Sequence, residues 1–265
     1  MTIKLIAADM DGTLLDSNKN LSPYLFDIIK KLKEKDIKFV IASGRQYFNL
    51  IENMSDIKEE LLYISDNGAI VYDNKGEVIY VDEINKEDLK RALKDIRQYE
   101  GLYPILCGVK SAYIEDDNEV FVNNAKLYNT KLEKVNDLED ILEQDRICKI
   151  AVFDINDAEK NAYKLLGKYN KNLLVCLSGY NWVDLMNKES NKGKAIKILQ
   201  ENYNISFDET MAFGDYLNDF EMMENCKYSY AMENAHPKLK EICSYRAKSN
   251  DEDGVVHALK KYFEL

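Results

Sequence analysis

Two aspartates, Asp9 and Asp11, stand at the end of an apolar run in the stretch IKLIAADMDGTLLD, residues 3–16. A buried carboxylate is costly to desolvate, so two of them at the end of a strand need a chemical reason. Two more, Asp215 and Asp219, lie far along the chain in GDYLND. If these four carboxylates share one crevice, their mutual repulsion requires a cation, and a hard oxygen-binding ion such as Mg²⁺ fits best.

Three further positions suit a phosphate group. Ser43 offers a hydroxyl and Gly44 a backbone N–H at a predicted helix start, which is a favourable place for an anion. Lys192 begins another predicted helix and would bring a positive charge to the group in transfer. Together with a metal, these residues would form a phosphoryl-transfer site, where positioning and charge neutralisation supply most of the catalysis.

The pair Asp9 and Asp11 can divide one difficult displacement into two easier ones. Asp9 would be the nucleophile that forms an aspartyl-phosphate, while Asp11 protonates the departing oxygen and then activates the hydrolytic water. The sequence has two histidines, His236 and His257, and both lie in its C-terminal part, away from these clusters. Their position counts against zinc and against a Ser-His-Asp mechanism.

Apolar β-like runs and helical patterns alternate at both ends of the chain, which is typical of a parallel sheet with crossover helices. In the N-terminal part, the patterns predict strands at 4–8, 37–42 and 62–65 and helices at 23–35 and 46–54. In the C-terminal part, they predict helices at 194–200, 219–224 and 255–263 and strands at 210–213 and 228–231. Ligands of such sheets bind outside the carboxyl ends of the strands, where the polar clusters stand.

The middle third of the chain has a different pattern of predicted helices and strands. After a hairpin signal at 70–81, the patterns predict helices at 86–99 and 158–169 and β runs at 104–115, 148–154 and 173–186. We interpret this region as an inserted α+β module. The predicted domains are a core at 1–83 and 188–265 and a cap at 84–187. Within the cap, the acidic segment 133–145 is predicted to be solvated surface.

Composition restricts the partners. The chain has 265 residues, 46% of them hydrophobic, and a formal net charge of −11. That charge opposes binding to nucleic acid or to anionic membranes, which attract Lys and Arg. The sequence has five scattered cysteines without metal-ligand spacing, no signal-like N-terminus and no apolar segment long enough to span a bilayer. We therefore expect a cytoplasmic protein.

The polar clusters, taken in order, resemble the motifs of the haloacid dehalogenase-like (HAD) phosphohydrolases, and within them the Cof-type group with a type IIB cap. DMDGTLL at 9–15, SGR at 43–45, NKG at 191–193 and GDYLNDFEMM at 214–223 match the four motifs, with the insert between the second and the third. The resemblance covers nearly the whole chain. It implies an α/β fold with a Rossmann-like parallel-sheet core and an inserted α+β cap domain.

Carried over position by position, the resemblance also implies residue roles. Asp9 would be the nucleophile, Asp11 the acid/base, and Lys192 a third catalytic residue. The implied metal ligands are Asp9, Asp11 through its backbone carbonyl, Asp215 and Asp219. The implied phosphate or substrate contacts are Met10, Ser43, Gly44, Arg45, Lys192 and Asn218. Glu233 stands where relatives commonly have glycine, and this departure touches no catalytic position.

We therefore expect a Mg²⁺-dependent phosphatase of small phosphorylated metabolites. Sugar phosphates are the substrates we expect first, with flavin or pyridoxal phosphates as the next candidates. The cap would close over the crevice and contact the leaving group. Two alternatives stay open: a sugar phosphomutase, and a sensor that binds phosphate esters without turnover. Asp11 argues against the sensor, because binding alone needs no proton shuttle. A chloride-releasing dehalogenase is a weaker alternative, since it would not require the metal cluster.

Overall fold

The chain divides into two units in a computed structural model that describes residues 2–265. The first unit contains the residues up to Gly44, 50–80 and 191–265, and the second contains 45–49 and 81–190. The predicted boundaries differ slightly, at 83 rather than 80 and at 188 rather than 191. The first residue of the predicted core lies outside the described residues. The larger difference is the short segment 45–49, which groups with the second unit.

The first third of the chain alternates strands and helices, as predicted. Strands β1 to β5 are Leu5–Asp9, Lys38–Ala42, Leu61–Ser65, Ile70–Tyr72 and Val78–Val81. Helices α1 and α2 are Leu25–Glu34 and Tyr47–Asn53. The buried residues of α1 recur every three or four positions and so share one face: Leu25, Ile28, Ile29 and Leu32.

The middle of the chain is an α+β arrangement. Helices α3 to α5 are Lys86–Ile96, Glu119–Tyr128 and Ala162–Leu166. Strands β6 to β11 are Leu102–Gly108, Ala112–Ile114, Leu132–Lys134, Ile147–Asp154, Leu173–Gly179 and Trp182–Asn187. Helix α4 was not predicted, because its sequence EVFVNNAKLY mixes β-branched residues and asparagines, which are poor helix formers.

The last part returns to the βα pattern. Helices α6 to α9 are Lys192–Tyr203, Phe220–Glu224, Pro237–Ile242 and Gly254–Phe263. Strands β12 to β14 are Thr210–Gly214, Tyr228–Ala231 and Tyr245–Arg246. The sequence pattern did not predict α8 or β14, since six and two residues are too few for a periodic signal. None of the helices within residues 2–265 has the length and apolar composition that a membrane span requires.

Over the described residues, eight strands form the sheet of the first unit, in the order β14-β13-β12-β1-β2-β3-β4-β5. From β14 to β3 every neighbouring pair is parallel, and β4 is antiparallel to β3. In register, Asp9 lies opposite Ala42, and Ala8 lies opposite Phe213. The predicted Rossmann-like parallel sheet is confirmed. Its topology places Asp9, Ser43 and Asp215 at one edge, because parallel strands end on the same side.

The sheet of the second unit is mostly antiparallel, in the order β10-β11-β9-β6-β7-β8 over the same described range. Side chains alternate between its faces, as strand geometry requires. Ile150 and Val152 pack with helices α3 and α5 in one buried cluster. Ala151 and Phe153 pack with α4 in a second cluster. Both faces of this sheet therefore carry a helix-covered apolar core.

The prediction that 133–145 is solvated surface is wrong in part. A 3₁₀ helix at Leu138–Glu143 buries three apolar side chains against the second unit's core: Leu138, Ile141 and Leu142. Asp145, at the end of this segment, is also buried, and its carboxylate accepts a 3.0 Å hydrogen bond from the Tyr113 hydroxyl. Three other carboxylates pair with Arg97: Glu115, Asp137 and Glu139. The three apolar residues are spaced so that they share one side of a short helix. The prediction missed this apolar side because it considered only the many charged residues of the segment.

Candidate active site

Three carboxylates and one lysine meet at the carboxyl edge of the first unit's sheet. Lys192 Nζ lies 2.5 Å from Asp9 Oδ1 and 2.6 Å from Asp219 Oδ1. The side chain of Lys192 is completely buried, and so is that of Asp219. Carboxylate oxygens of Asp9, Asp215 and Asp219 lie within 4.8 Å of one another. The structure thus brings together four predicted site residues from the start and the last third of the chain.

Lys192 reaches this acidic group because of where its helix begins. It is the first residue of α6, and the Asn191 side chain caps that helix by accepting a 2.8 Å hydrogen bond from Lys194 N. The next residue, Gly193, packs against α7. A Cβ at Gly193 would stand 2.3 Å from the carbonyl oxygen of Glu221. This close approach of two helices holds the N-terminus of α6 in place, and the lysine with it.

Asp219 uses both of its carboxylate oxygens. Oδ1 accepts from Lys192, and Oδ2 accepts from the backbone N–H groups of Asp215 at 3.0 Å and Tyr216 at 3.2 Å. Gly214 makes room for this carboxylate, since a Cβ there would lie 2.5 Å from Asp219 Oδ2. Asp219 therefore holds the loop after β12 and orients Asp215 in addition to contacting the lysine.

The site carries more negative than positive charge. Burial raises the pKa of Asp9 well above its ordinary value, and Asp219 and Asp215 add to this effect while Lys192 opposes it. Burial and the neighbouring Asp219 also raise the pKa of Asp215, to about 6. Burial alone would lower the pKa of Lys192, but Asp219 and Asp9 outweigh it and raise that pKa. When all are ionised, three carboxylates face one ammonium, which leaves two negative charges.

These donors fit a hard divalent cation. Within residues 2–265, the group formed by Asp9, Asp215 and Asp219 consists of carboxylates, the ligands that Mg²⁺ prefers, and two charges remain to be neutralised. The carboxylate of Asp11 lies outside this group and accepts a hydrogen bond from Lys19 Nζ at 2.9 Å. That Asp11 binds a metal through its backbone carbonyl stays a prediction.

The turn after β1 contributes two contacts that sequence reasoning did not assign. Thr13 Oγ1 donates to Asp215 Oδ1 at 3.3 Å, and Asn234 Nδ2 donates to the carbonyl oxygen of Gly12 at 2.8 Å. Gly12 has φ +78°, and a Cβ there would stand 2.4 Å from Asp215 Oδ2. Thr13 stands close to the predicted aspartates in the sequence and could have been proposed as a site residue. Nothing in the local sequence indicates that Asn234 contacts Gly12.

The predicted phosphate contacts fall in different environments. Ser43 is buried directly after β2, and Gly44 follows it. Asn218 is exposed on the loop after β12. The side chain of Met10 is fully buried, so a substrate contact would have to come from its backbone. Arg45 belongs to the second unit, where its guanidinium donates to Asn49 Oδ1 at 2.9 Å. The roles of these residues stay predictions.

Known proteins resemble this chain over almost its full length. A family model described as haloacid dehalogenase-like hydrolase matches residues 6–259. The 5-amino-6-(5-phospho-D-ribitylamino)uracil phosphatase YbjI of Escherichia coli K12 is 30% identical over 264 aligned residues, with 98% of this chain and 96% of that protein covered.

Solved structures give the same result for the fold. TM0651 from Thermotoga maritima has a TM-score of 0.89 at 27% identity, with 98% of this chain and 97% of that chain covered. The HAD subclass IIB sugar phosphatase BT4131 has a TM-score of 0.79 at 22% identity, with 99% of this chain and 100% of that chain covered. At that identity, the second likeness supports the fold alone.

The first prediction concerns the buried lysine. Lys192→Met should lower the free energy of unfolding by about 3–5 kcal/mol in metal-free buffer near pH 7.5, because two buried carboxylates lose their counter-charge. Urea denaturation measures the loss. Lys197→Met, an exposed position on the same helix, is the matched control and should change stability by less than about 0.5 kcal/mol. Equal stability of the two variants would contradict the described ion pairs.

The second prediction concerns pH. Because the pKa of Asp215 is raised to about 6 in the folded protein, its carboxyl favours folding at low pH and loses that contribution as the pH rises through 6. Metal-free Asp215→Asn should therefore match the wild type near pH 4 and exceed its stability near pH 7.5, by about 1 kcal/mol after solvent screening. Denaturation at both pH values tests this. A constant difference across the range would refute the raised pKa.

Proposed function

This chain belongs to the haloacid dehalogenase-like hydrolases, and we propose that within this family it is a Mg²⁺-dependent phosphatase of small phosphorylated metabolites. Its place among the phosphatases follows from the family and from its relatives. The observation that carries the finer proposal is the contact of Lys192 with Asp9 and Asp219, beside Asp215. A carboxylate that lies beside both a lysine and a site for a divalent cation is suited to the transfer of a phosphoryl group.

In the proposed first step, an Asp9 carboxylate oxygen bonds to the phosphorus of the ester, and the bond from phosphorus to the leaving oxygen breaks. Asp11 gives its proton to that oxygen, which departs as an alcohol. Lys192 balances negative charge beside the reacting group, since its ammonium already contacts Asp9 at 2.5 Å. The product of this step is an aspartyl-phosphate on Asp9.

In the proposed second step, Asp11 removes a proton from water, and the water oxygen attacks phosphorus. Orthophosphate leaves, and the carboxylate of Asp9 is restored. When bound, Mg²⁺ would neutralise charge on the phosphoryl oxygens. The residues that would hold it are Asp9, Asp215 and Asp219, with the backbone carbonyl of Asp11. Ser43, Gly44 and Asn218 would hold the phosphoryl group itself.

For the substrate, we propose sugar phosphates and related esters. One relative is named a phosphatase of a ribitylamino-uracil phosphate, and a structural neighbour is titled a sugar phosphatase. We assign the choice of leaving group to the second unit and to Arg45, which belongs to it. We also propose that the enzyme works in a reducing compartment, the cytoplasm, because its cysteines are free and four of the five are buried.

The third prediction tests activity and nucleophile together. With Mg²⁺ and no bisphosphate activator, the wild type should release orthophosphate from a panel of phosphate monoesters, and kcat/KM should be highest for sugar phosphates. Asp9→Asn should lower kcat by at least about 10³-fold on each ester, because an amide cannot form the aspartyl-phosphate.

Thermal unfolding of Asp9→Asn serves as the control for its fold. No hydrolysis by the wild type would refute the phosphatase, and undiminished turnover by Asp9→Asn would refute the nucleophile. A requirement for a bisphosphate activator would point to a phosphomutase. The panel should include a ribitylamino-uracil phosphate, flavin mononucleotide and pyridoxal phosphate, so that a non-sugar preference can be detected.

The fourth prediction concerns the metal. EDTA should abolish hydrolysis, and excess Mg²⁺ should restore it, because two negative charges remain at the site without a cation. EDTA saturated with Mg²⁺ beforehand is the matched control and should have no effect. Mg²⁺ should also raise the Tm of the wild type but not that of Asp215→Asn, since binding to the folded state alone stabilises it. Full activity in EDTA would refute the metal requirement.

A further inference from the structure

We propose that Asn67 is a positioning residue, whose side-chain amide holds the phosphate-binding groups of the site in register. It lies on the turn Asp66-Asn67-Gly68 that follows β3, at the edge of the sheet where Asp9 ends β1. The inference rests on the phosphatase function proposed above and adds a residue to its machinery. Asn67 acts through two other groups, Gly44 and Asn218.

The backbone of this turn is held in an unfavourable conformation. Asp66 has φ +48° and Asn67 has φ +56°, and Gly68 follows with φ +99°. Consecutive non-glycine residues in the left-handed region are uncommon, and such strain persists where the surrounding structure requires it. At Gly68 the requirement is visible, because a Cβ would stand 2.2 Å from the carbonyl oxygen of Asn191, which caps the lysine-bearing helix α6.

Asn67 contacts all three residues that we assign to the phosphoryl group, one of them through its backbone and two through its side chain. Its backbone N–H donates to the carbonyl oxygen of Ser43 at 3.0 Å. Its amide lies against Gly44, where a Cβ would stand 2.9 Å from Asn67 Oδ1 and 3.0 Å from Nδ2. The same Oδ1 accepts a 3.0 Å hydrogen bond from Asn218 Nδ2. One side chain thus joins the loop after β2 to the loop after β12.

This contact matters because Asn218 is exposed. An exposed amide side chain keeps its rotational freedom unless a partner removes it, and ordering it when phosphate binds would cost free energy. The hydrogen bond to Asn67 Oδ1 orders Asn218 in advance. The strained turn is therefore explained as a support that keeps the amide of Asn67 between two loops.

The fifth prediction uses Asn67→Gly. Glycine adopts the left-handed backbone freely, so the substitution removes the amide and leaves the turn intact. With Mg²⁺ present, the Kd for orthophosphate by calorimetry and the KM for the best ester should rise about tenfold, and kcat should fall less. Asn204→Gly is the matched control: Asn204 has φ +53° at the C-terminal end of α6, and its change should leave both constants within about twofold.

A purely structural role predicts something else. Partial unfolding lowers the active fraction, so it would reduce kcat and the binding stoichiometry while Kd and KM stayed unchanged, and that result would overturn the proposal. A double-mutant cycle with Asn218→Ala gives a second test. If Asn67 acts through Asn218, Asn67→Gly should weaken phosphate binding much less in the Asn218→Ala background than in the wild type. Fully multiplicative effects would overturn the proposal.

The phosphate measurement also separates this inference from the proposed function. A wild type that binds orthophosphate but hydrolyses no ester would refute the phosphatase, while the effect of Asn67→Gly on Kd would still decide the role of Asn67. A wild type that hydrolyses esters with constants unmoved by Asn67→Gly would refute the positioning role alone. A wild type that neither hydrolyses an ester nor binds orthophosphate would refute both.

Discussion

A buried ammonium shared by two carboxylates is the interaction on which the rest of the site depends. Lys192 contacts Asp9 and Asp219, and all three side chains are almost completely withdrawn from water. Each charge would be costly to bury alone, and each is tolerated because the others are within hydrogen-bond distance. The remaining excess of negative charge favours a cation at the site. Burial raises the pKa of Asp9, and the negative charges of Asp219 and Asp215 add to that effect.

The sheet topology supplies the framework for this cluster. Because β1 lies between β2 and β12 and runs parallel to both, three polar loops start from one edge. Hydrogen bonds from side chains then lock the loops together. Asp219 holds the turn that carries Asp215, while Asn67 joins the loop after β2 to Asn218. Rigid placement of this kind is what phosphoryl transfer needs from a protein, since the chemistry depends mainly on position and charge.

Much of the fold and of the site was predictable from local patterns. The strands predicted at 4–8, 37–42 and 62–65 lie within one residue of β1, β2 and β3, because unbroken apolar runs are typical of a parallel sheet. The short elements α8 and β14 and the buried side of Leu138–Glu143 were missed, since their signals are too brief or are masked by charge. The four motifs contain Asp9, Lys192, Asp215 and Asp219, which the structure brings together, while the roles assigned to the predicted site residues stay predictions.

The sequence by itself determined which residue types are present, in what order, and hence the family and the chemistry it supports. Only the tertiary structure decided that Lys192 divides its ammonium between Asp9 and Asp219, that Asn67 adopts a left-handed backbone against Gly44, and that 45–49 groups with the second unit. The physical reason is chain separation: Lys192 and Asp9 are 183 residues apart, and Asn218 and Asn67 are 151 apart. Local periodicity carries no information about contacts that form only when distant strands assemble into one sheet.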